Sequence, residues 1–146
     1  MKRQQLLLLI LAFGVFSILN TEMGIIGILP MAAEMYQVDI VQAGMLVSLF
    51  ALGVAIAGPT MPLLFSRFNR KHVMLLVLGV FTICNALAVV ASDFQLLLVL
   101  RVVPAFFHPV YCALAFSVAA ASVAPEDAPR AVARINMGVA AGMVVG

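Results

Sequence analysis

Charged side chains are scarce in this 146-residue chain, at 10% of residues, while hydrophobic residues make up 65%. Soluble domains carry about 45–50% apolar residues, so this composition excludes an ordinary soluble protein and indicates one whose partner is the lipid bilayer. The few basic residues are spread over short turns and are not gathered on one face, which argues against a nucleic-acid partner.

Cysteine is limited to Cys84 and Cys112, in the middle of predicted helices, where we interpret both as small packing residues. Tryptophan is absent. The sequence has no nucleotide-binding loop, no His/Cys cluster at metal-ligand spacing, and no Ser or Cys nucleophile with a nearby base. It therefore predicts neither an enzyme nor a bound metal or organic cofactor.

Five apolar segments qualify as membrane spans or begin to, given that a spanning helix needs about 20 residues. Spans 1 to 5, as we name them, cover residues 6–33, 41–65, 73–91, 95–122 and 131–146. Span 5 stops without a polar flank or cap, which we interpret as truncation. The sequence predicts an all-α membrane protein with four to five transmembrane helices.

Basic residues fall on one side of these spans. Seven of the eight precede span 1, lie between spans 2 and 3, or lie between span 4 and the first residues of span 5: Lys2, Arg3, Arg67, Arg70, Lys71, Arg130 and Arg134. Because Lys and Arg concentrate in cytoplasmic loops, the N-terminus is predicted to be cytoplasmic.

Small residues form two stripes at helical spacing. The span 2 stripe, as we name it, comprises Gly44, Ser48, Ala51, Ala55, Gly58 and Pro62; the span 5 stripe comprises Gly138, Gly142 and Gly146. Helices associate in lipid by close packing, so each stripe predicts the approach of another backbone. Packing within this bundle and an interface with an absent element both fit the pattern.

Three groups are costly where they stand inside apolar spans: Glu22, Arg101 and His108. An ionised group at the bilayer centre costs about 2.5–3.5 kcal/mol on insertion scales, so such residues are paired, face water or serve function. At 1.5 Å per residue, Arg101 lies roughly 9 Å and Glu22 roughly 16 Å from the outer ends of their helices. Long side chains could close that difference.

The helical positions of these groups leave two interpretations open. Arg101, Ala105, His108 and Cys112 share one face of span 4, while Ser17, Asn20, Thr21 and Gly24 cluster on one side of span 1. Glu22 and Arg101 could form an ion pair that only holds the bundle together, with His108 a core histidine. Alternatively Glu22 binds and releases protons, which the sequence favours, with Arg101 as its variable partner.

The turn between spans 2 and 3 reads "PLLFSRFNRKHVML" and resembles the cytoplasmic signature of the major facilitator superfamily, Gly-x-Leu-x-Asp-Arg-x-Gly-Arg-Arg/Lys. The matching positions are Leu64, Arg67, Arg70 and Lys71. Pro62, Ser66 and Asn69 replace the first glycine, the aspartate and the second glycine. Asn69 tolerates a left-handed turn, so we expect the turn to be kept, whereas Ser66 lacks the charge that contacts the opposite half in the family.

Further stretches resemble the drug/proton antiporter branch, including its sugar-efflux and purine-efflux members. They are "TEMGIIGILPMAAEM" in span 1, "LRVVPAFFHPVYCALA" in span 4 and "APEDAPRAVARINMGVAAGMVVG" before and within span 5. The resemblance places Arg101 at an arginine linked with proton transfer. It implies a fold of twelve helices in two halves, of which this chain would supply the N-terminal four to five, with both small-residue stripes facing the missing C-terminal half.

The resemblance implies a proton-coupled transporter in the inner (plasma) membrane that exports a small organic solute by alternating access, driven by the proton gradient. Glu22 and Arg101 would couple protons, and Asn20, Thr21 and His108 would line the cavity. Ser66, Arg67, Asn69, Arg70 and Lys71 would form the cytoplasmic gate. Two alternatives are a four-helix dimeric multidrug transporter, against which the absence of Trp counts, and a non-transporting membrane fragment or assembly protein.

Overall fold

The computed structural model describes residues 2–146, and within that range the chain is helical with no strand. A 3-10 turn at Pro125–Asp127 precedes the last helix. The helices are α1 Lys2–Met35, α2 Ile40–Ala43, α3 Met45–Phe65, α4 Arg70–Val89, α5 Phe94–Ala121 and α6 Ala128–Val145. Spans 1, 3, 4 and 5 correspond to α1, α4, α5 and α6, and span 2 to α2 with α3. The predicted all-α class is confirmed.

Four stretches of the described chain are long and apolar enough to cross a membrane: Arg3–Gly27, Ile40–Phe65, Arg70–Val89 and Phe94–Ala121. α6 is not among them, although the sequence suggested the beginning of a fifth span there. Arg130 and Arg134 lie in its first turns and lower its hydropathy. The helices expose many large apolar side chains, which is the surface that lipid covers in a membrane protein.

The chain forms two compact units. The first unit comprises the residues up to Gly24 together with Tyr111–Gly146, and the second comprises Ile25–Val110. In the first unit, α1 buries Leu8, Leu11, Val15 and Ile18, a spacing of three and four residues that marks one helix face. Gly14 lies on the same side, where a β-carbon would overlap the buried Tyr111 ring. The missing side chain therefore makes room for the tyrosine.

The span 5 stripe packs against α1 inside the first unit. A β-carbon on Gly138 would collide with the carbonyl oxygen of Ala12, and one on Gly142 would lie 2.7 Å from that of Phe16. At Gly146 the corresponding distance to the carbonyl oxygen of Asn20 is 2.6 Å. These three glycines contact α1 at successive turns, so their assignment to an interface with a missing half is wrong.

The span 2 stripe behaves differently within the second unit. α3 buries its other face, comprising Leu46, Phe50, Gly53 and Ala57. Ser48, Ala51 and Ala55 are exposed, and a β-carbon on Gly58 would meet nothing within 4 Å. The exposed members of the stripe do not pack inside this unit, and an interface with another element stays a prediction.

Hydrogen bonds join helix ends within each unit. In the first unit, Nε2 of Gln4 donates to the carbonyl oxygen of Ser122 at 3.0 Å, which ties the start of α1 to the end of α5. In the second, Oη of Tyr36 donates to the carbonyl oxygen of Ala91 at 3.0 Å, beyond the ends of α1 and α4. Each bond joins residues at the ends of two helices that successive changes of helix direction bring to the same end of the unit.

Candidate functional site

Glu22 lies inside the apolar stretch of α1, in the first unit. Its side chain is half-buried, and its Oε2 atom is buried from solvent. A carboxylate oxygen enclosed in a membrane helix is costly unless it is paired, binds a proton or faces water. The predicted role of Glu22 in proton coupling stays a prediction.

Thr21 and Asn20 sit one and two residues before Glu22 on α1. Oγ1 of Thr21 donates to the carbonyl oxygen of Ser17 at 2.9 Å, and Oγ of Ser17 donates to that of Phe13 at 2.9 Å. Such bonds satisfy a hydroxyl within its own helix. The end of α6 lies against the backbone of Asn20 and Gly24. The backbone of α1 at Asn20 and Gly24 thus packs against α6 in the first unit.

Arg101 on α5 lies against the face of a buried phenylalanine in the second unit. Its guanidinium carbon is 5.0 Å from the ring centroid of Phe50 on α3, and Phe50 is 2% exposed. A cation within about 6 Å of a ring centroid is attracted by the ring quadrupole, most strongly where water is excluded. Nε of Arg101 is itself buried. The charge is held inside the unit against an aromatic surface.

His108 contacts the same ring from two turns further along α5. The imidazole and Phe50 centroids are 6.1 Å apart with an interplanar angle of 75°, an edge-to-face arrangement. Nδ1 of His108 is buried. Phe50 therefore touches both polar groups that the sequence placed on one face of α5.

Ala105 occupies the turn between those two groups and is fully buried. A β-carbon on Gly53 would lie 3.0 Å from Cβ of Ala105, and the carbonyl oxygen of Val102 is 3.9 Å from the same point. Two small residues thus let α3 approach α5 closely, one turn along from Phe50. The space beside the small side chain of Ala105 is thus occupied by α3.

The structure places Glu22 in the first unit and Arg101 with His108 in the second. Phe50, Arg101 and His108 form a cluster whose three members all belong to the second unit. The predicted exchange between Glu22 and Arg101 stays a prediction.

The turn between α3 and α4 carries the predicted gate residues, with Arg67, Arg70 and Lys71 all exposed. Oγ of Ser66 donates to the carbonyl oxygen of Leu63 at 2.7 Å at the end of α3. Asn69 has φ −63° and ψ 119°, so the expected left-handed conformation is not adopted. Its Oδ1 instead accepts from the backbone N–H of Lys71 at 3.0 Å and caps α4. The asparagine starts the next helix, a role that needs extended backbone.

A cavity of about 340 Å³ opens beside Arg101 in the second unit. Its walls come from the end of α1, from α4 and from α5, and are mostly apolar. The polar side chains among them are Arg101, Asn85 and Tyr36, with Met31 and Met35 beside them. A larger cavity of about 620 Å³ lies on α1 and α6 in the first unit, with Gln5 and Arg134 as its polar lining. Neither cavity has a metal-ligand cluster: no three His, Cys, Asp or Glu side chains meet among residues 2–146.

Phe50 was not singled out from the sequence. The available signal was its spacing with Leu46, Gly53 and Ala57, which marks a second face on α3 beside the span 2 stripe. A phenylalanine at such spacing predicts only a core packing residue. The contact with Arg101 is visible in the structure alone. Asn85 was missed because it stands alone in α4.

Ionisable groups enclosed in helices that can cross a bilayer define a class, the multi-pass membrane proteins with a polar site inside the membrane. The sequence matches the Major Facilitator Superfamily over residues 11–146, and the chain belongs to that family. Its helices are accordingly those of the N-terminal part of the family fold. The family consists of membrane transporters and not of enzymes, and membership overturns the four-helix dimeric alternative.

Named relatives agree with this membership. The inner membrane transport protein YdhP of Escherichia coli (strain K12) is 36% identical over 132 residues, covering 90% of this chain and 34% of YdhP. The uncharacterized MFS-type transporter YtbD of Bacillus subtilis (strain 168) is 38% identical over 120 residues, covering 82% and 30%. The putative transporter AraJ of Escherichia coli (strain K12) is 32% identical over 138 residues, covering 94% and 34%.

The chain spans about a third of the length of these relatives. No solved structure matches it.

Proposed function

We propose that this chain is the N-terminal part of a proton-coupled efflux transporter that exports a small organic solute across the inner (plasma) membrane by alternating access. The observation that carries the proposal is Glu22, a carboxylate with a buried oxygen inside a membrane-spanning helix. Membership of a transporter family supports it, as does the similarity to YdhP, an inner membrane transport protein. The work requires no cofactor, because the proton gradient drives it.

Glu22 takes up a proton from the outer side and releases it inside during the transport cycle. Arg101 biases that exchange, since a nearby cation favours the ionised carboxylate and a distant one releases it. The buried Nε of Arg101 supports this role, because such a charge retains its influence where water does not screen it. Asn20, Thr21 and His108 contribute polar contacts to the solute pathway.

The basic turn after α3 forms the cytoplasmic gate, with an N-terminus that is cytoplasmic as well. Arg67, Arg70 and Lys71 are exposed there and available to a partner surface. That partner is the remaining C-terminal half of the transporter, which we also propose as the cover of the exposed span 2 stripe. Ser66 bonds to its own helix end and brings no acid to this gate.

The test measures proton movement in inverted membrane vesicles. The vesicles come from cells that express the protein from its whole native open reading frame. A pH-sensitive dye reports proton release when members of a panel of sugars and purines are added. Glu22→Gln keeps the size of the side chain and removes its charge, so we expect the solute-dependent signal to fall at least about tenfold.

Glu34→Gln is the matched control, because it removes the same charge from the same helix at an exposed position. It should retain the full signal at equal expression. An unchanged proton signal in Glu22→Gln, at wild-type protein levels, would contradict the coupling role.

A further inference from the structure

We propose that Phe50 is a positioning residue that holds the guanidinium of Arg101 through the face of its ring and sets the orientation of His108 through an edge-to-face contact. The inference goes beyond the proposed transport cycle, because neither the sequence pattern nor family membership assigns a role to Phe50. Its functional meaning rests on the proposed role of Arg101, while the contacts themselves do not.

The Arg101 contact has the geometry of a cation–π interaction. The guanidinium carbon lies 5.0 Å from the ring centroid, inside the range of about 6 Å over which the quadrupole attracts a cation. Phe50 is 2% exposed and Nε of Arg101 is buried, so water screens the attraction less than it would at an exposed site. An aliphatic side chain of similar size would fill the space and provide no such attraction.

The Phe50 ring contacts two polar groups because α3 and α5 pack closely together. Arg101 and His108 share a face of α5 with Ala105 between them, and Gly53 allows α3 to meet that face at Ala105. Phe50 lies three residues before Gly53 on the buried side of α3. Its ring therefore contacts Arg101 and, at 6.1 Å between centroids, His108.

The consequence for transport is that a change in the tilt of α3 against α5 moves both polar groups together. Arg101 then reaches its partner in a defined geometry, and does not sample the rotamers open to a long side chain. Loss of the ring should leave the charge in place and remove its fixed position.

The first experiment is a double-mutant cycle on the thermal stability of the 146-residue chain in detergent. The variants are Phe50→Leu, Arg101→Gln and the pair together. We expect the melting-temperature losses to be non-additive by about 2–4 °C, since the second substitution removes an interaction already lost. Additive losses would overturn the inference.

The second experiment replaces Phe50 with mono-, di- and trifluorinated phenylalanine, which weaken the ring quadrupole stepwise with little change of shape. The melting temperature should fall with each fluorine when residue 101 is Arg, and stay level in the Arg101→Gln background. Phe107, which packs against Phe65, is the matched control and should show no such slope. This series stays informative if Phe50→Leu fails to fold.

Equal slopes in both backgrounds would show that Phe50 acts by packing alone and would overturn the inference. Phe50→Tyr should recover most of the stability that Phe50→Leu loses, because its ring keeps the negative face. A slope that depends on Arg101, found together with an unaffected proton signal in Glu22→Gln, would reject the proposed function and leave the positioning role standing.

Discussion

Gly53 on α3 and Ala105 on α5 meet so closely that a β-carbon on the glycine would lie 3.0 Å from that of the alanine. This contact sets the approach of the two helices at the turn between Arg101 and His108. The buried Phe50 ring lies one turn away on the same side of α3. The packing of two small residues thus determines how near the aromatic ring comes to two polar groups.

Gly53→Val should therefore separate α3 from α5 and lower the stability of the second unit by about 1–3 kcal/mol. The added methyl groups meet Ala105 and the backbone at Val102, which have little room to give. Thermal unfolding of the chain in detergent measures the loss. Gly79→Val is the control, because a β-carbon on Gly79 of α4 would meet nothing within 4 Å. Equal losses at the two positions would show that helix propensity, and not this contact, is responsible.

Enlarging a glycine of α6 should likewise lower the stability of the first unit. Gly142→Ala places a methyl group 2.7 Å from the carbonyl oxygen of Phe16 and 2.8 Å from Cβ of Leu19, so α6 has to move away from α1. We expect a loss of about 1–3 kcal/mol, seen as a lower melting temperature. Gly58→Ala, with open space at its β-carbon, should leave the melting temperature of the 146-residue chain unchanged or slightly higher. A neutral Gly142→Ala would contradict the close packing.

Asn69 supplies a prediction at the basic turn. Its side chain caps α4 by accepting from the N–H of Lys71, so Asn69→Ala should cost about 1 kcal/mol and speed hydrogen exchange at the amides of the first turn. Asn69→Ser, which keeps an oxygen acceptor, should retain most of the protection. If both variants exchanged at the wild-type rate, the cap would contribute nothing.

The sequence predicted the features that depend on periodicity and composition. Apolar runs located the spans, and the costs of burying charge singled out Glu22 and Arg101 as unusual. The shared face of Arg101, Ala105 and His108 followed from helix geometry alone. These properties are local to one helix, which is why one chain was enough to infer them.

The partners of each face depend on how helices pack, and the sequence left those undetermined. Two stripes of small residues looked alike, yet Gly142 meets α1 while Gly58 meets nothing within 4 Å. The pattern records only that a close approach is allowed. Phe50 escaped notice for the same reason, because its role depends on a residue from another helix. Asn69 was misjudged because asparagine suits both left-handed turns and helix caps.

Gln37, in the connection after α1, is the one residue other than glycine with a positive φ, 54°, in the part of the chain that the structure describes. The N–H of Val38 donates to the carbonyl oxygen of Ala33 at 3.0 Å, so Gln37 holds the left-handed position of a Schellman helix end. Gln37→Gly should raise the unfolding free energy by up to about 1 kcal/mol, because glycine has no β-carbon to strain there. Gln37→Ala keeps the β-carbon and should give no gain in melting temperature. Equal effects of the two substitutions would mean that backbone strain is not the cause.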